Sequence, residues 1–202
     1  MKKRAKPSGT RGSRRRGFSI VELVVSLAIL MILTAMAIPT LTDSLRSYQL
    51  NDAATRVSDL LKFTRFEAVR KNTAVDFRIL QNGTVWNIWA DSDKDGVMDP
   101  PEKQSLIGEF VTLLPAGSPG LPGPGPITAS LGAAPVLDAS RSGANGFIRF
   151  DSRGAVTPLS AFILYLGSAA HPEYGFRSVV LLPSGATQVW SVPPGGNWIR
   201  IS

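Results

Sequence analysis

A single acidic side chain, Glu22, interrupts an apolar run that extends from Phe18 to Ile38. The run contains 21 residues, and an α-helix needs about 20 to cross the hydrocarbon core of a bilayer. A carboxylate is costly in such a segment unless a cation pairs with it or it reaches the membrane surface. Glu22 lies little more than one helical turn from the start, so its position alone leaves both arrangements open.

A second group of carboxylates lies in the stretch DSDKDGVMDPPE, residues 91–102. It fits the twelve-residue calcium-loop template, in which spaced oxygen ligands surround a turn that a glycine permits. Pro100 and Pro101 stiffen the approach to the last ligand, and a strand is predicted before the loop where the template has a helix. A solvated hairpin turn is the alternative, and bound calcium would only stabilise the loop. The candidate ligands are Asp91, Asp93, Asp95, Asp99 and Glu102.

The remaining residue types supply little for catalysis. The chain has no cysteine and one histidine, His171, in a turn-like stretch. Thiolate chemistry and histidine metal clusters are therefore excluded, and no serine stands in a G-x-S-x-G context. We expect no enzymatic activity, no catalytic residue and no required cofactor.

The net positive charge of the chain comes from its N-terminus. The net charge is +7, but residues 1–17 hold eight of the 22 Lys and Arg residues and no acidic residue. The remaining 14 basic residues face 15 Asp and Glu, so the rest of the chain is close to neutral. A basic tail before a membrane-length segment predicts a cytoplasmic N-terminus and an exported remainder.

The elements that carry these residues follow from hydrophobic periodicity. Apolar residues recur at spacings of three and four after Pro39, which predicts one long helix over about residues 18–71 that bends at this proline. Two alternating runs around Asn82-Gly83 predict a β-hairpin over 74–90, and residues 116–126 read as an irregular Gly/Pro loop. The helical stripe comprises Leu41, Leu45, Tyr48, Val57, Leu61, Thr64 and Ala68, and further strands are predicted at 105–111, 146–150, 161–167, 177–182, 186–192 and 197–202.

The stretch RGFSIVELVVSLAILMILTAMAIP resembles the class III signal of type IV pilins and type II secretion pseudopilins. In that family a dedicated peptidase cuts after the glycine and methylates the new N-terminus. The resemblance implies cleavage between Gly17 and Phe18 and N-methylation of Phe18. It also implies an assembly role for Glu22, whose carboxylate meets the Phe18 amine of a neighbouring subunit. Pro39 matches the helix-bending proline of the family.

Farther along, DLLKFTRFEAVRKNTAVDFRI (59–79) is similar to type II secretion protein H and to FimT-type minor pilins. The resemblance implies an α+β, pilin-like fold, in which a long N-terminal helix packs on a C-terminal antiparallel β-sheet domain. The expected domains are a cleaved basic leader (1–17), a transmembrane and assembly helix (18–38), an amphipathic helix (39–72) and a periplasmic β-rich domain (73–202).

The implied function is that of a minor pseudopilin, a structural subunit of the type II secretion pseudopilus, which serves protein secretion across the outer membrane. Its implied partners are other pseudopilins or pilins, the prepilin peptidase and the inner membrane, with the C-terminal domain in the periplasm. One alternative is a FimT-like minor pilin of a type IV pilus that serves pilus assembly or DNA uptake. Another is a membrane-anchored calcium-binding protein unrelated to filaments, but that function leaves Phe18 and Glu22 unexplained. FimT-type DNA binders carry arginines near a C-terminal glycine turn, and the matching turn at 185–188 has none, so nucleic acid is not an expected partner.

Overall fold

The computed structural model of the chain describes residues 17–108, 110–131, 136–138, 141–142 and 145–202. The chain divides into two units, residues 1–42 and 43–202. Most of the expected leader, residues 1–16, lies outside the described part. One α-helix, α1 (Ile20–Lys71), begins in the first unit and continues into the second, which confirms the long helix expected from the sequence.

The N-terminal part of α1 is apolar and solvent-exposed. Every side chain from Phe18 to Ile38 is exposed, and by length and composition this part of the helix is suited to cross a membrane. Hydroxyl groups within it donate to carbonyls one turn back, as Ser26 does to Glu22 and Thr34 does to Leu30, at 2.7 Å in both cases. Such bonds satisfy polar side chains where water is excluded.

The second part of α1 buries one face against the β-structure. Val57, Leu61, Thr64 and Ala68 are buried, as their spacing predicted. The other three residues of the predicted stripe, Leu41, Leu45 and Tyr48, are exposed. Burial begins at Leu50, and Tyr48 precedes Val57 by nine positions, about half a turn off its face at 100° per residue. The predicted stripe therefore joined two different faces of the helix.

Helix α1 is followed by a residue in the left-handed conformation, Asn72. Asn72 has φ 50°, and the N–H of Thr73 donates to the carbonyl of Ala68 at 3.1 Å. Asparagine tolerates this conformation better than most residues, so it terminates the helix and turns the chain into the first strand.

Two sheets form the rest of the second unit, together with a short helix, α2 (Gly125–Leu131). The strands are β1 (Val75–Asn82), β2 (Val85–Asp91), β3 (Gln104–Ile107), β4 (Thr112–Leu114), β5 (Val136–Asp138), β6 (Arg141–Ser142), β7 (Asn145–Phe150), β8 (Val156–Thr157), β9 (Ala161–Gly167), β10 (Phe176–Leu181), β11 (Thr187–Val192) and β12 (Ile199–Arg200). In the first sheet the strand order is β3-β2-β1-β7-β6, with β8 beside β7, and in the second it is β12-β11-β10-β9-β4, with β5 beside β9. The pairs among these described strands are antiparallel except β5 and β9.

The main core lies between α1 and the sheets. It joins Leu50, Val57 and Leu61 of α1 to Phe77 and Phe162 of the two sheets. A second cluster covers the other face of the second sheet, where Ile127 of α2 packs with side chains that include Ile163, Tyr165 and Trp190. Strand β9 is buried along its whole length because alternate residues serve the two clusters. An α+β fold with a long N-terminal helix packed on antiparallel β-structure is confirmed.

Candidate functional site

The predicted processing junction precedes the first turn of α1. Gly17, Phe18 and Ser19 lie before the helix, and the first helical hydrogen bond runs from the N–H of Leu23 to the carbonyl of Ser19 at 3.1 Å. The Phe18 side chain is 79% exposed, and no atom lies within 4 Å of the position that a side chain on Gly17 would take. Among the described residues, the junction is therefore solvent-exposed. Cleavage and methylation there stay predictions.

Glu22 lies in the first turn of α1. An acidic side chain is favourable at this end because the unpaired backbone N–H groups give it a partial positive charge. No cation among the described residues pairs with the Glu22 carboxylate. A partner from a neighbouring subunit, the family arrangement, remains a proposal.

Pro39 lies inside α1, and the helix continues on both sides of it. Proline has no N–H, so one intrahelical hydrogen bond is absent one turn before it. The bend expected at this proline stays a prediction.

The acidic loop starts at the end of β2. Carboxylate oxygens of Asp91, Asp93 and Asp95 lie within 4.8 Å of one another. Asp91 is fully buried and accepts hydrogen bonds from the N–H groups of Lys94 (2.6 Å) and Gly96 (3.1 Å), which fold the loop around it. Gly96 has φ 81°, a conformation that favours glycine. The acidic loop predicted from the sequence is therefore present, and three of its carboxylates lie close together.

Glu102 closes the loop from its far end. Its two carboxylate oxygens accept hydrogen bonds from the N–H groups of Ser92 (2.7 Å) and Asp99 (3.4 Å). Burial raises the pKa of Glu102, and these two N–H groups oppose that shift. Asp99 contributes its backbone to this closure. Hydrogen bonds from backbone N–H groups to Asp91 and Glu102 therefore hold the loop at residues 91–102 closed.

A charged network under the loop was not expected from the sequence. The guanidinium of Arg78 donates to the Asp91 carboxylate and lies 3.8 Å from that of Asp76. Arg149 donates twice to Asp76, at 2.7 and 2.8 Å, and the Asp76 carboxylate raises the pKa of Arg149. Strand register brings these residues together, because Asp76 lies opposite both Asp91 and Arg149. Asp91 is therefore already neutralised by an arginine, and a cation there competes with Arg78. The fit of the loop to calcium is partial.

His171 is an exposed residue just before a short 3₁₀ helix (Pro172–Tyr174), as expected of a surface loop. Its Nδ1 lies 2.9 Å from Oε1 of Glu173, and its ring is 5.9 Å from that of Phe110. These contacts hold the imidazole at the surface beside an aromatic ring and do not join it to the acidic loop residues.

Comparisons with known proteins extend over most of the chain. Residues 12–38 match the prokaryotic N-terminal methylation motif, and residues 53–185 match the type II transport protein GspH. The crystal structure of the type IV minor pilin FimU of Pseudomonas aeruginosa PAO1 aligns with a TM-score of 0.48 and 16% identity, over 77% of this chain and 94% of that one. A search of curated sequences gives no match. The methylation motif includes Gly17, Phe18 and Glu22, and the GspH match includes residues 53–71 of α1 and most of both sheets. The chain therefore belongs to the GspH family of pilin-like proteins and is a membrane-anchored minor pseudopilin of type II secretion.

Proposed function

We propose that this pseudopilin is cleaved between Gly17 and Phe18, is N-methylated at Phe18, and joins a filament through Glu22. The observation that carries the proposal is the carboxylate of Glu22 in the first turn of an exposed, membrane-length apolar helix. Cleavage creates a positively charged amine at the start of that helix. An amine of one subunit and the carboxylate of the next neutralise each other in a low-dielectric bundle and fix the stagger between helices.

The proposed location is the inner membrane, with the N-terminus in the cytoplasm and residues 43–202 in the periplasm. The eight basic residues of 1–17 support this orientation, since cytoplasmic flanks carry the excess of Lys and Arg. The proposed partners are the prepilin peptidase and the other pseudopilins of the filament. We propose a structural role without catalysis and without a required cofactor.

Processing is tested by the intact mass and the N-terminal peptide of the protein extracted from its native membrane. The expected chain starts at N-methyl-Phe18. Replacing Gly17 by a bulkier residue should leave the leader attached. A native chain that retains residues 1–17 contradicts the processing step and removes the amine that Glu22 is proposed to meet.

The pairing is tested by substituting Glu22 in cells that depend on the secretion machine. Glu22→Asp should retain incorporation into the filament at a reduced level, whereas Glu22→Gln and Glu22→Ala should reduce it at least tenfold, because they leave the neighbouring amine unpaired. Ser26→Ala, one turn farther along the same helix, removes a hydroxyl without changing charge and serves as the control. Co-purification with neighbouring pseudopilins and the level of secreted enzymes are the readouts. Normal incorporation of Glu22→Gln would contradict the proposed pairing between Glu22 and the Phe18 amine of a neighbour.

A FimT-like role in DNA uptake is less well supported. Arg177, one of two arginines near the C-terminal glycine turn in the sequence, is buried and bonded to the side chains of Asn51 and Ser47. A buried guanidinium held by neutral side chains presents little charge to a phosphate backbone. The turn itself, around Gly185, is packed against Arg65 of α1.

A further inference from the structure

The two helical turns of α1 that open the second unit, residues 43–49, have few apolar contacts with it. None of these seven side chains is buried, and the first buried residue is Leu50, which is fully enclosed. Leu45 and Tyr48 are 54% and 71% exposed. Hydrophobic burial, the main source of helix docking, therefore starts only where these two turns end.

Two arginines make contacts between these turns and the β-structure. Arg177 of β10 donates from Nη2 to Ser47, within the two turns, at 3.3 Å, and from Nε to Asn51, just beyond them, at 2.6 Å. Arg46, on the helix itself, places its guanidinium 4.3 Å from the centre of the Phe110 ring and donates to Gln49 at 3.0 Å. Phe110 in turn packs against the main core. We call Arg46 and Arg177 the arginine clasp.

The clasp is a weak support by its chemistry. No carboxylate among the described residues pairs with Arg177, although its side chain is buried. Burial lowers the pKa of its guanidinium. The hydrogen bonds to Asn51, Ser47 and the Phe176 carbonyl mainly offset the cost of removing the Arg177 guanidinium from water. This cost disappears when the guanidinium is hydrated again, so the net gain from the bonds is small. A cation–π contact at a partly exposed site adds little more.

We propose that the arginine clasp is a latch, and that residues 43–49 release from the β-structure as a unit while α1 stays docked from Leu50 onward. Release frees about 10 Å of helix at 1.5 Å per residue. The latch is a property of the single subunit, so it does not depend on the pairing proposed for Glu22.

Hydrogen exchange of the full chain in detergent micelles tests the latch. The N–H groups of residues 47–53 donate to the carbonyls of 43–49 in an α-helix. Helical turns that lose their tertiary contacts unwind more often, because packing supplies most of a helix's stability, so faster exchange of these amides reports the release. Arg177→Met keeps an apolar stem and removes the guanidinium. We expect amides 47–53 to exchange on the order of tenfold faster or more in this variant, while amides 57–71 and the strands keep their rates. Arg153→Met, at an exposed turn arginine, is the matched control and should change none of them.

A second variant tests the other half of the clasp without touching a buried residue. Arg46→Gln removes the contact over Phe110 and should speed exchange of the same amides roughly two- to fivefold. Unchanged exchange of amides 47–53 in either variant overturns the latch. Equal acceleration throughout the domain, or failure of Arg177→Met to fold, also overturns it, because Arg177 is then a support of the whole domain.

Discussion

Glu22 has a local effect on its helix as well as the intersubunit one proposed for it. In the first turn of α1 its charge complements the partial positive charge of the helix N-terminus. This local effect is worth about 0.3–1 kcal/mol and cannot by itself decide whether a filament forms. A strong assembly defect in Glu22→Gln, with the helix content of the isolated subunit unchanged, therefore points to a charge partner in another subunit.

Gly185 is a residue whose side chain would have no room. It has φ 78°, and a Cβ there would lie well inside van der Waals contact of the Gly154 carbonyl oxygen. Gly117 has the same φ, yet no atom lies within 4 Å of its Cβ position. Gly117→Ala should cost about 1 kcal/mol for the left-handed conformation alone, and Gly185→Ala about 2–4 kcal/mol because the turn also has to move.

Thermal unfolding of the two glycine variants in the same micelles measures this difference. At about 2–4 °C per kcal/mol, Gly185→Ala should melt several degrees below Gly117→Ala. Equal melting temperatures would mean that the turns at 154 and 185 separate freely. The close approach of these two turns would then contribute nothing to stability.

Asp91 shows what residue-level reasoning from the sequence reached and what it missed. Its place at the head of an Asp-rich loop was readable from the spacing with Asp93 and Asp95. Its pairing with Arg78 depends on the register of β1 and β2, where Asp76 lies opposite Asp91. A hairpin turn predicts that these strands pair, but whether a given charge is buried depends on the loop that folds over them. Local patterns do not contain that information.

At the level of elements, the C-terminal end of α1 is held by a charge cluster that depends on pH. The pKa of Glu67 lies below its ordinary value of 4.5 because Arg70 donates to its carboxylate, with Lys71 contributing further. A lowered folded pKa gives stability that is present above 4.5 and is lost as the pH falls through the folded value. Both cations are more than a third exposed, so we expect only about 0.5–1 kcal/mol at neutral pH.

Glu67→Gln should therefore melt about 1–4 °C below the unchanged protein at neutral pH. The gap should narrow as the pH falls below 4.5 and through the lowered pKa of the folded state. Asp59→Asn, which breaks the exposed pair with Lys62, is the control and should shift the melting temperature less. A gap that persists undiminished at about pH 3 would contradict the ion-pair origin of the effect.

The acidic loop is the element whose ligand the sequence left open. If calcium replaces Arg78 on Asp91, millimolar calcium should raise the melting temperature by about 3–8 °C by mass action on the folded state. Asp93→Asn combined with Asp95→Asn should abolish the shift, and magnesium should not reproduce it. With no shift in the unchanged protein, the loop is a hydrogen-bonded turn closed by Glu102 and needs no ion.

Element boundaries departed from the sequence prediction where the chain changes sheet. The strand expected over 105–111 is present only as β3, which ends at Ile107, and β4 begins beyond the predicted end, at Thr112, in the other sheet. Gly108 lies at the division, where a Cβ would press on the Val85 side chain at 2.9 Å. Apolar residues stand on both sides of this point, at Leu106 and Ile107 and at Phe110 and Val111, so the composition of the stretch does not mark the break. Helix α2 was missed as well, because it begins inside the Gly/Pro stretch that reads as a loop.

At the scale of the whole molecule, the first 17 residues and the rest of the chain differ in net charge. The basic residues concentrate in the first 17 positions, while the rest has 14 basic against 15 acidic residues. The proposed cleavage therefore turns a strongly basic precursor into a nearly neutral subunit. Attraction to phosphate scales with the number of contacting cations, so this step removes the sequence-independent part of nucleic-acid binding.

The chain starting at Phe18 should accordingly show no measurable retention of duplex DNA in about 0.15 M salt, whereas the precursor should bind it with an affinity that falls steeply with salt. The matched control is a precursor in which the three consecutive residues Arg14, Arg15 and Arg16 are changed to Gln, which should lower both the affinity and the salt slope. Tight, salt-sensitive binding by the processed chain would place cations of the folded domain on DNA and favour the FimT-like alternative. If the protein serves secretion, deletion of its gene should abolish enzyme export and leave DNA uptake intact. The binding assay and the deletion phenotype are therefore two independent tests of the secretion role against the FimT-like role.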